Sequence, residues 1–265
     1  MDLGIKGRKA LVTGASAGLG YAAAEALAAE GVIVTINSRS QERLDAAASR
    51  IEKATGFRPA TVAGDLATDD GIQAVSRFAQ KENPAGSFDI LISNTGGPPP
   101  GQFLDHSAEV WHDAGRVVLE AAVRLTSLVL RGMIQRRWGR LIYITSVGVL
   151  QPLDDLILSN TYRAGVTGFC KTLANNYAKD GVTANCVCPG FTATERLESL
   201  ARKRAEVTGK RPEEIMEGFA QSIPVKRVGK PEELAALIAF LASERAAFIN
   251  GSSIAVDGGS HKSLI

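Results

Sequence analysis

Cysteine is scarce: Cys170, Cys186 and Cys188 are the only three in 265 residues, too few and too odd in number for a disulfide framework. No histidine stands beside them, so no metal site is expected. Cys186 and Cys188 alternate along an expected strand and read as small apolar core residues on one face. An excess of one charge is also lacking. Thirty Lys+Arg against 28 Asp+Glu leave a net charge of +2, which points to neither nucleic acid nor an anionic membrane surface as partner. Long apolar runs are missing as well: residues 234–242 fall well short of the roughly 20 that a membrane span needs. Residues 1–10 lack the apolar h-region of a secretory signal. A cytoplasmic chain with reduced thiols is therefore expected. What is present, 45% hydrophobic and 22% charged residues, is the composition of a folded chain with a sizeable core.

Hydrophobic runs alternate with helix-like segments. Strands are predicted over 9–13, 32–37, 58–63, 88–93, 139–145, 183–187 and 253–256. Helices are predicted over 20–30, 41–55, 68–82, 108–137, 158–179 and 231–243, the last with Pro231 in its first turn. This βαβ rhythm, with strands that read as continuous Val/Ile/Leu runs, predicts a doubly wound, mostly parallel α/β sheet with helices on both faces. No repeat, low-complexity tract or linker divides the chain, so 1–265 reads as one domain. Two segments break the rhythm. Residues 96–101, GGPPPG, form a stiff loop that is neither helix nor central strand. Residues 192–223 are long and highly charged, and are expected to act as a substrate lid; their basic run Arg202-Lys203-Arg204 reads as a solvated helix face.

Between the first strand and first helix stands Thr13-Gly14-Ala15-Ser16-Ala17-Gly18-Leu19-Gly20. Glycines at a strand-to-helix turn let a pyrophosphate approach the backbone, and the amides opening the helix can hold it. The second strand ends Asn37-Ser38-Arg39, without the carboxylate that usually holds a ribose 2′-hydroxyl. A hydroxyl plus a guanidinium suits a 2′-phosphate, so NADP(H) is the expected cofactor; the competing reading has Arg39 simply finishing the strand in solvent.

With those motifs in place the sequence resembles the short-chain dehydrogenase/reductase family along nearly its whole length. The glycine motif matches the family's T-G-x-x-x-G-x-G. Asp65-Leu66 matches the pair that in the family lies against the adenine. The segment from Phe88 through Asn94-Thr95-Gly96 resembles D-x-L-x-N-N-A-G, and Pro189-Gly190-Phe191-Thr192-Ala193-Thr194 is similar to P-G-x-x-x-T, which contacts the nicotinamide end. The C-terminal stretch from Ile223-Pro224 to Asp257-Gly258-Gly259 is similar to bacterial 3-oxoacyl-(acyl-carrier-protein) reductases. The resemblance implies a Rossmann fold, a cofactor set of Gly14, Ser16, Ala17, Gly18, Leu19, Gly20, Ser38, Arg39, Asp65, Leu66, Asn94, Thr95, Gly96, Arg163, Pro189, Gly190, Thr192 and Thr194, and a homo-oligomer, tetramer or dimer.

The catalytic positions depart from the family. Its Ser is matched by Ser146. Its Y-x-x-x-K positions hold Ser159 and Arg163, and its Asn position holds Val118. An alkyl hydroxyl is a far weaker acid than a phenol, so Ser159 is a poor general acid. Arg163 keeps the charge, for ribose hydroxyls, an anionic substrate group or a developing oxyanion, but relays no proton. Tyr162, His106, His112, Asp154 and Asp155 are the alternative proton donors. Against them stand plainer roles: Tyr162 packing at an interface, the histidines capping or facing solvent, the carboxylates solvated in a loop. The resulting expectation is an NADPH-dependent reductase acting on a small carbonyl or alcohol substrate with a non-standard proton donor; the alternative is an NADP(H)-binding sensor or partner subunit without turnover.

Overall fold

The computed structural model describes residues 1–82 and 88–264. Seven parallel strands form one sheet in the order β3-β2-β1-β4-β5-β6-β7: β1 (Lys9–Val12), β2 (Ile33–Ser38), β3 (Ala60–Ala63), β4 (Ile90–Ser93), β5 (Gly139–Ile144), β6 (Val182–Pro189) and β7 (Ser253–Val256). Parallel strands need crossovers, and helices supply them: α1 (Gly18–Ala29), α2 (Gln41–Thr55), α3 (Asp69–Glu82), α4 (Ala108–Gly115), α5 (Ala121–Arg136), α6 (Ile157–Tyr177), α7 (Glu195–Thr208), α8 (Pro212–Ser222) and α9 (Pro231–Leu241). This is the expected doubly wound Rossmann arrangement. Strand order reverses between β1 and β4, which opens a crevice at the carboxyl ends of the strands, the place where such sheets take ligands.

Each face of the sheet carries its own core. Ala23 and Leu27 of α1, Leu44 and Ile51 of α2 and Leu234 and Ile238 of α9 pack on one side. Ile72 and Val75 of α3, Leu125, Val129 and Met133 of α5, and Val166 and Leu173 of α6 pack on the other. All three cysteines are free and buried in this second core, in keeping with their reading as apolar fillers.

Three local features differ from expectation. The helix predicted over 108–137 is two helices joined by a π-turn at Arg116–Glu120, which carries Val118. The segment 192–223 is not loop but the helix pair α7 and α8, with a small core of Leu197, Ala201 and Phe219. Its helical spacing, Leu197-Ala201-Ala205, is hidden among charged neighbours that face solvent. Third, β3 starts at Ala60 rather than 58, and β6 extends to Pro189.

On the α5 side, the buried Tyr143 hydroxyl donates to Thr126 Oγ1 at 2.7 Å, while Thr126 Oγ1 donates to the Ala122 carbonyl. Burial pushes the phenol well above its ordinary range, so it stays neutral. Thr126→Val should cost about 1–3 kcal/mol by stranding that hydroxyl. Urea unfolding of Thr126→Val beside Thr126→Val/Tyr143→Phe checks this; the double variant should recover part of the loss.

Candidate active site

The turn from β1 into α1 is held by close backbone approach. Thr13 Oγ1 donates to the Asn94 carbonyl (2.8 Å) and accepts from the Asn94 amide (2.9 Å), and Asn94 Nδ2 donates to the Gly14 carbonyl (3.2 Å). Gly14 has φ +57°, and a Cβ there would lie 2.7 Å from Asn94 Nδ2. A Cβ on Gly20 would run into the Gly14 carbonyl. Side chains are thus excluded from the floor of the crevice. Ala17 caps α1 with no side-chain hydrogen bond, and no acid stands in the first turn. The opening amides of α1 and the positive end of its dipole are left for a ligand, unlike those of α2 and α7, which Ser40 and Thr194 cap.

The other positions expected to hold a cofactor lie along the same end of the sheet. Ala15 N–H donates to the Asn37 carbonyl, placing the end of β2 beside the loop. Asn37 Oδ1 is buried without a partner, an acceptor open to a donor from outside the chain. Ser38 is half-buried, and Arg39 is exposed and pairs with no acid among the described residues. Asp65 Oδ1 accepts from the Ala67 amide and Leu66 is buried, so this pair forms a fixed shelf past β3. Thr95 and Gly96 follow Asn94 at the end of β4. Pro189 and Gly190 finish β6, Thr192 Oγ1 donates to the Gly190 carbonyl, and the Thr194 methyl is 3.4 Å from a Cβ position on Gly18. Ser16 offers its carbonyl to Arg50 Nη2 (3.4 Å), a basic neighbour of the glycine loop that the sequence motifs do not mark. The cradle fits a dinucleotide: a glycine floor, free helix amides and an unpaired guanidinium.

At the mouth of the crevice, Ser146 lies two residues past β5 and its Oγ accepts from the Gly148 amide (3.0 Å). Arg163 in α6 is only 8% exposed. Its Nε donates to Ser159 Oγ (3.2 Å) and its Nη1 to the Ile144 carbonyl (2.9 Å), tying α6 to the end of β5. Each serine hydroxyl therefore takes a fixed donor, and neither gives its proton to another described residue. Arg163 has no carboxylate partner among the described residues. Burial, then the positive charge of Arg196, pulls its pKa down to about 10, which leaves it cationic at neutral pH.

Tyr162 lies on the far side of that turn. Its hydroxyl donates to the Trp111 carbonyl (2.8 Å) and its ring sits 5.9 Å from that of Trp111, which makes it an α4–α6 contact. Val118 is 3% exposed in the second core, and no polar group replaces it there. His112 is exposed on α4. His106 folds under Gly101 with Nε2 buried and without a partner. Asp154 and Asp155 are exposed; the Asp155 carbonyl accepts from Gly101 N–H (2.7 Å), which pins the GGPPPG loop.

The sequence motifs overlook Arg196. It stands in the first turn of α7 and donates through Nη2 to the Pro98 carbonyl (2.7 Å), with its guanidinium 3.1 Å from a Cβ position on Gly97. A Cβ at 97 would crowd it. Among the described residues no group of His, Cys, Asp and Glu is arranged to hold a metal ion, and no helix is long and apolar enough to cross a membrane.

A Rossmann sheet with a glycine cradle, a serine after β5 and a buried arginine in α6 defines a nucleotide-dependent oxidoreductase, and the chain belongs to the short-chain dehydrogenase/reductase family. Residues 14–261 match the family described as enoyl-(acyl carrier protein) reductase. The chain is 35% identical to the 3-oxoacyl-[acyl-carrier-protein] reductase FabG of Aquifex aeolicus over 259 residues, covering 98% of this chain and 99% of that one. It superposes with TM-score 0.93 and 35% identity, over all of both chains, on L-sorbose reductase from Gluconobacter frateurii complexed with NADPH and L-sorbose. YwfH, an NADPH-dependent reductase involved in bacilysin biosynthesis, matches with TM-score 0.89 and 30% identity over 98% of this chain and 100% of that one.

Gly20→Ala should lower dinucleotide affinity at least tenfold, because the methyl group must displace the Gly14 carbonyl. Fluorescence titration measures it. Gly218→Ala in α8, where a Cβ meets nothing within 4 Å, is the control and should bind as the parent does.

Proposed function

We propose that this protein is an NADP(H)-dependent carbonyl reductase in which Ser146, Ser159 and Arg163 stabilise the developing alkoxide, and the proton comes from solvent rather than from a phenol. The observation that carries this reading is the buried, carboxylate-free Arg163 bonded to Ser159 at the mouth of a complete dinucleotide cradle. Gly14, Ser16, Ala17, Gly18, Leu19 and Gly20 hold the pyrophosphate; Asp65 and Leu66 face the adenine; Ser38 and Arg39 hold the 2′-phosphate. Asn94, Thr95, Gly96, Pro189, Gly190, Thr192 and Thr194 line the path toward the nicotinamide, which supplies the hydride. NADPH in the structures of L-sorbose reductase supports this choice of cofactor.

The two hydroxyls already accept from fixed donors, so their protons are free to point at a substrate oxygen. Donors positioned in advance for a developing negative charge cost no reorganisation during reaction. Arg163 adds full charge in a water-poor position, where it counts for more than in bulk solvent. Tyr162 takes no part in proton donation, its hydroxyl being given to Trp111. The segment 192–223 acts as the lid, and the active form is a homo-oligomer. The relatives frame the substrate as a small ketone, between the 3-oxoacyl groups and L-sorbose of their names. Binding without turnover finds no support in these relatives, which are reductases by name.

NADPH oxidation across a panel of ketones tests the reading: turnover of at least one class is expected, and tight NADPH binding with none would overturn it. The kcat profile should be flat between about pH 6 and 9, where the serine hydroxyls and Arg163 keep their protons; a titrating limb in that window would assign the proton to a side-chain acid. Arg39→Ala should weaken NADPH by about 1.5–3 kcal/mol and leave NADH nearly unchanged, through loss of one charge-assisted contact. Equal losses in paired titrations would remove Arg39 from the 2′-phosphate.

A further inference from the structure

Several arginines are matched with acids, while exposed ones such as Arg39, Arg137 and Arg245 have none among the described residues. Arg43 pairs with Glu195, Arg58 with Glu52, Arg124 with Asp69, Arg140 with Glu244, Arg211 with Glu214 and Arg227 with Glu233. Burial sets Arg163 apart: of the two buried arginines among the described residues, Arg140 has Glu244 beside it and Arg163 has no acid. Arg163 donates to a main-chain carbonyl and a hydroxyl, and Arg196 to a main-chain carbonyl; among the described residues neither has a carboxylate partner. The two cations are close enough for Arg196 to disfavour the charged form of Arg163. Like charges held together without a counter-ion cost free energy, and an anion placed between them relieves it.

The placement is also built rather than incidental. Gly97 leaves the space that the Arg196 guanidinium fills, and the Pro98 carbonyl fixes one of its nitrogens. The remaining N–H groups make no described bond and the side chain stays reachable from solvent, so part of the guanidinium fork is open. The anchor, Pro98, lies four residues beyond Asn94, which touches the glycine loop, and Thr194 rather than Arg196 is the lid residue against Gly18.

We propose that the substrate of this reductase carries a carboxylate, gripped by Arg196 while Arg163 faces the reacting oxygen, so that the natural ligand is an oxo acid rather than a neutral ketone. The proposal rests on the reductase reading for its reaction, but its anion site stands on the two arginines alone. A phosphate of the cofactor offers similar chemistry, and the test separates the two sources.

The measurement is kcat/KM with NADPH for 3-oxobutanoate and 2-oxobutanoate against their methyl esters, together with calorimetric binding of malonate to the NADP-loaded protein and of NADPH alone. In the parent protein the acids should exceed the esters at least tenfold and malonate should bind. Arg196→Ala should erase the acid-over-ester preference and weaken malonate at least tenfold, with NADPH affinity held within twofold. Arg196→Lys should restore part of both, since it returns the charge without the fork. Equal rates for acids and esters, or malonate binding indifferent to Arg196, would overturn the carboxylate site while leaving the reductase standing. A loss of NADPH affinity in Arg196→Ala that matches the loss of malonate would overturn it in favour of the cofactor phosphate. If no carbonyl compound turns over yet malonate binding depends on Arg196, the reductase reading falls and the anion site remains.

Discussion

A buried guanidinium without a carboxylate is the constraint around which the catalytic end of this protein is arranged. A charge removed from water needs hydrogen-bond acceptors in fixed places, and Arg163 finds them in the Ile144 carbonyl at the end of β5 and in Ser159 on its own helix. These two bonds join the sheet to α6 at the end of β5, two residues before Ser146. They also set the state of Ser159, which becomes an acceptor toward Arg163 and a free donor on its other side. A lysine at 163 would supply a compact charge, not a planar fork able to hold both partners at once. The exchange at positions 159 and 163 is therefore one change rather than two, since the shorter hydroxyl and the forked cation satisfy each other.

The start of α7 depends on the same crevice. Thr194, Glu195 and Arg196 are consecutive, yet each meets a different wall: Gly18 of the glycine loop, Arg43 of α2, and Pro98 of the GGPPPG loop. In the Arg43–Glu195 pair a single nitrogen, Nη2, reaches both carboxylate oxygens, and both side chains are more than half exposed, so it contributes only about 0–1 kcal/mol. Three weak attachments on three walls define a position without locking it. The stacked Phe191 and Phe219 and the small core of Leu197, Ala201 and Phe219 keep α7 and α8 together as one body. The lid proposed above would move as one such body.

The fold was legible in the sequence because each strand is a short β-branched or leucine-rich run between turns, and because the glycine motif sits at the first strand-to-helix junction. The helical pair α7–α8 was hidden by its charges: Glu195, Glu198, Arg202 and Lys203 outnumber the apolar residues that pack. The π-turn at Arg116–Glu120 was not legible either, since an extra residue in a helical turn leaves no trace in apolar spacing. At the candidate site, Ser146, Ser159 and Arg163 were singled out through the family resemblance, which says nothing of their hydrogen bonds. Arg196 escaped because its meaning comes from Gly97 and Pro98, about a hundred residues earlier in the chain. Tyr162 looked available as an acid because helical spacing sets it beside Ser159; only the packing of α4 on α6 shows its hydroxyl engaged with Trp111.

The loss of a phenolic acid need not silence such a site, and the magnitudes say why. A positioned general acid contributes about 10²–10⁴ in rate. Removing a single preorganised donor from an oxyanion site costs about 2.7–4 kcal/mol, or 10²–10³. Two free serine protons and a desolvated guanidinium are thus of the same order as the acid they replace, provided that the transition state develops alkoxide character before any proton arrives. That condition favours substrates whose alkoxide is already stabilised by electron-withdrawing neighbours and whose orientation is fixed by a second contact. Holding two reactants in register is the larger contribution in many enzymes. A cation beside the crevice, set apart from Arg163 by its own backbone anchor, provides such a contact. In the proposed mechanism Ser159, Arg163 and Arg196 are physically linked: weaker proton donation is tolerated where binding and charge carry more of the barrier.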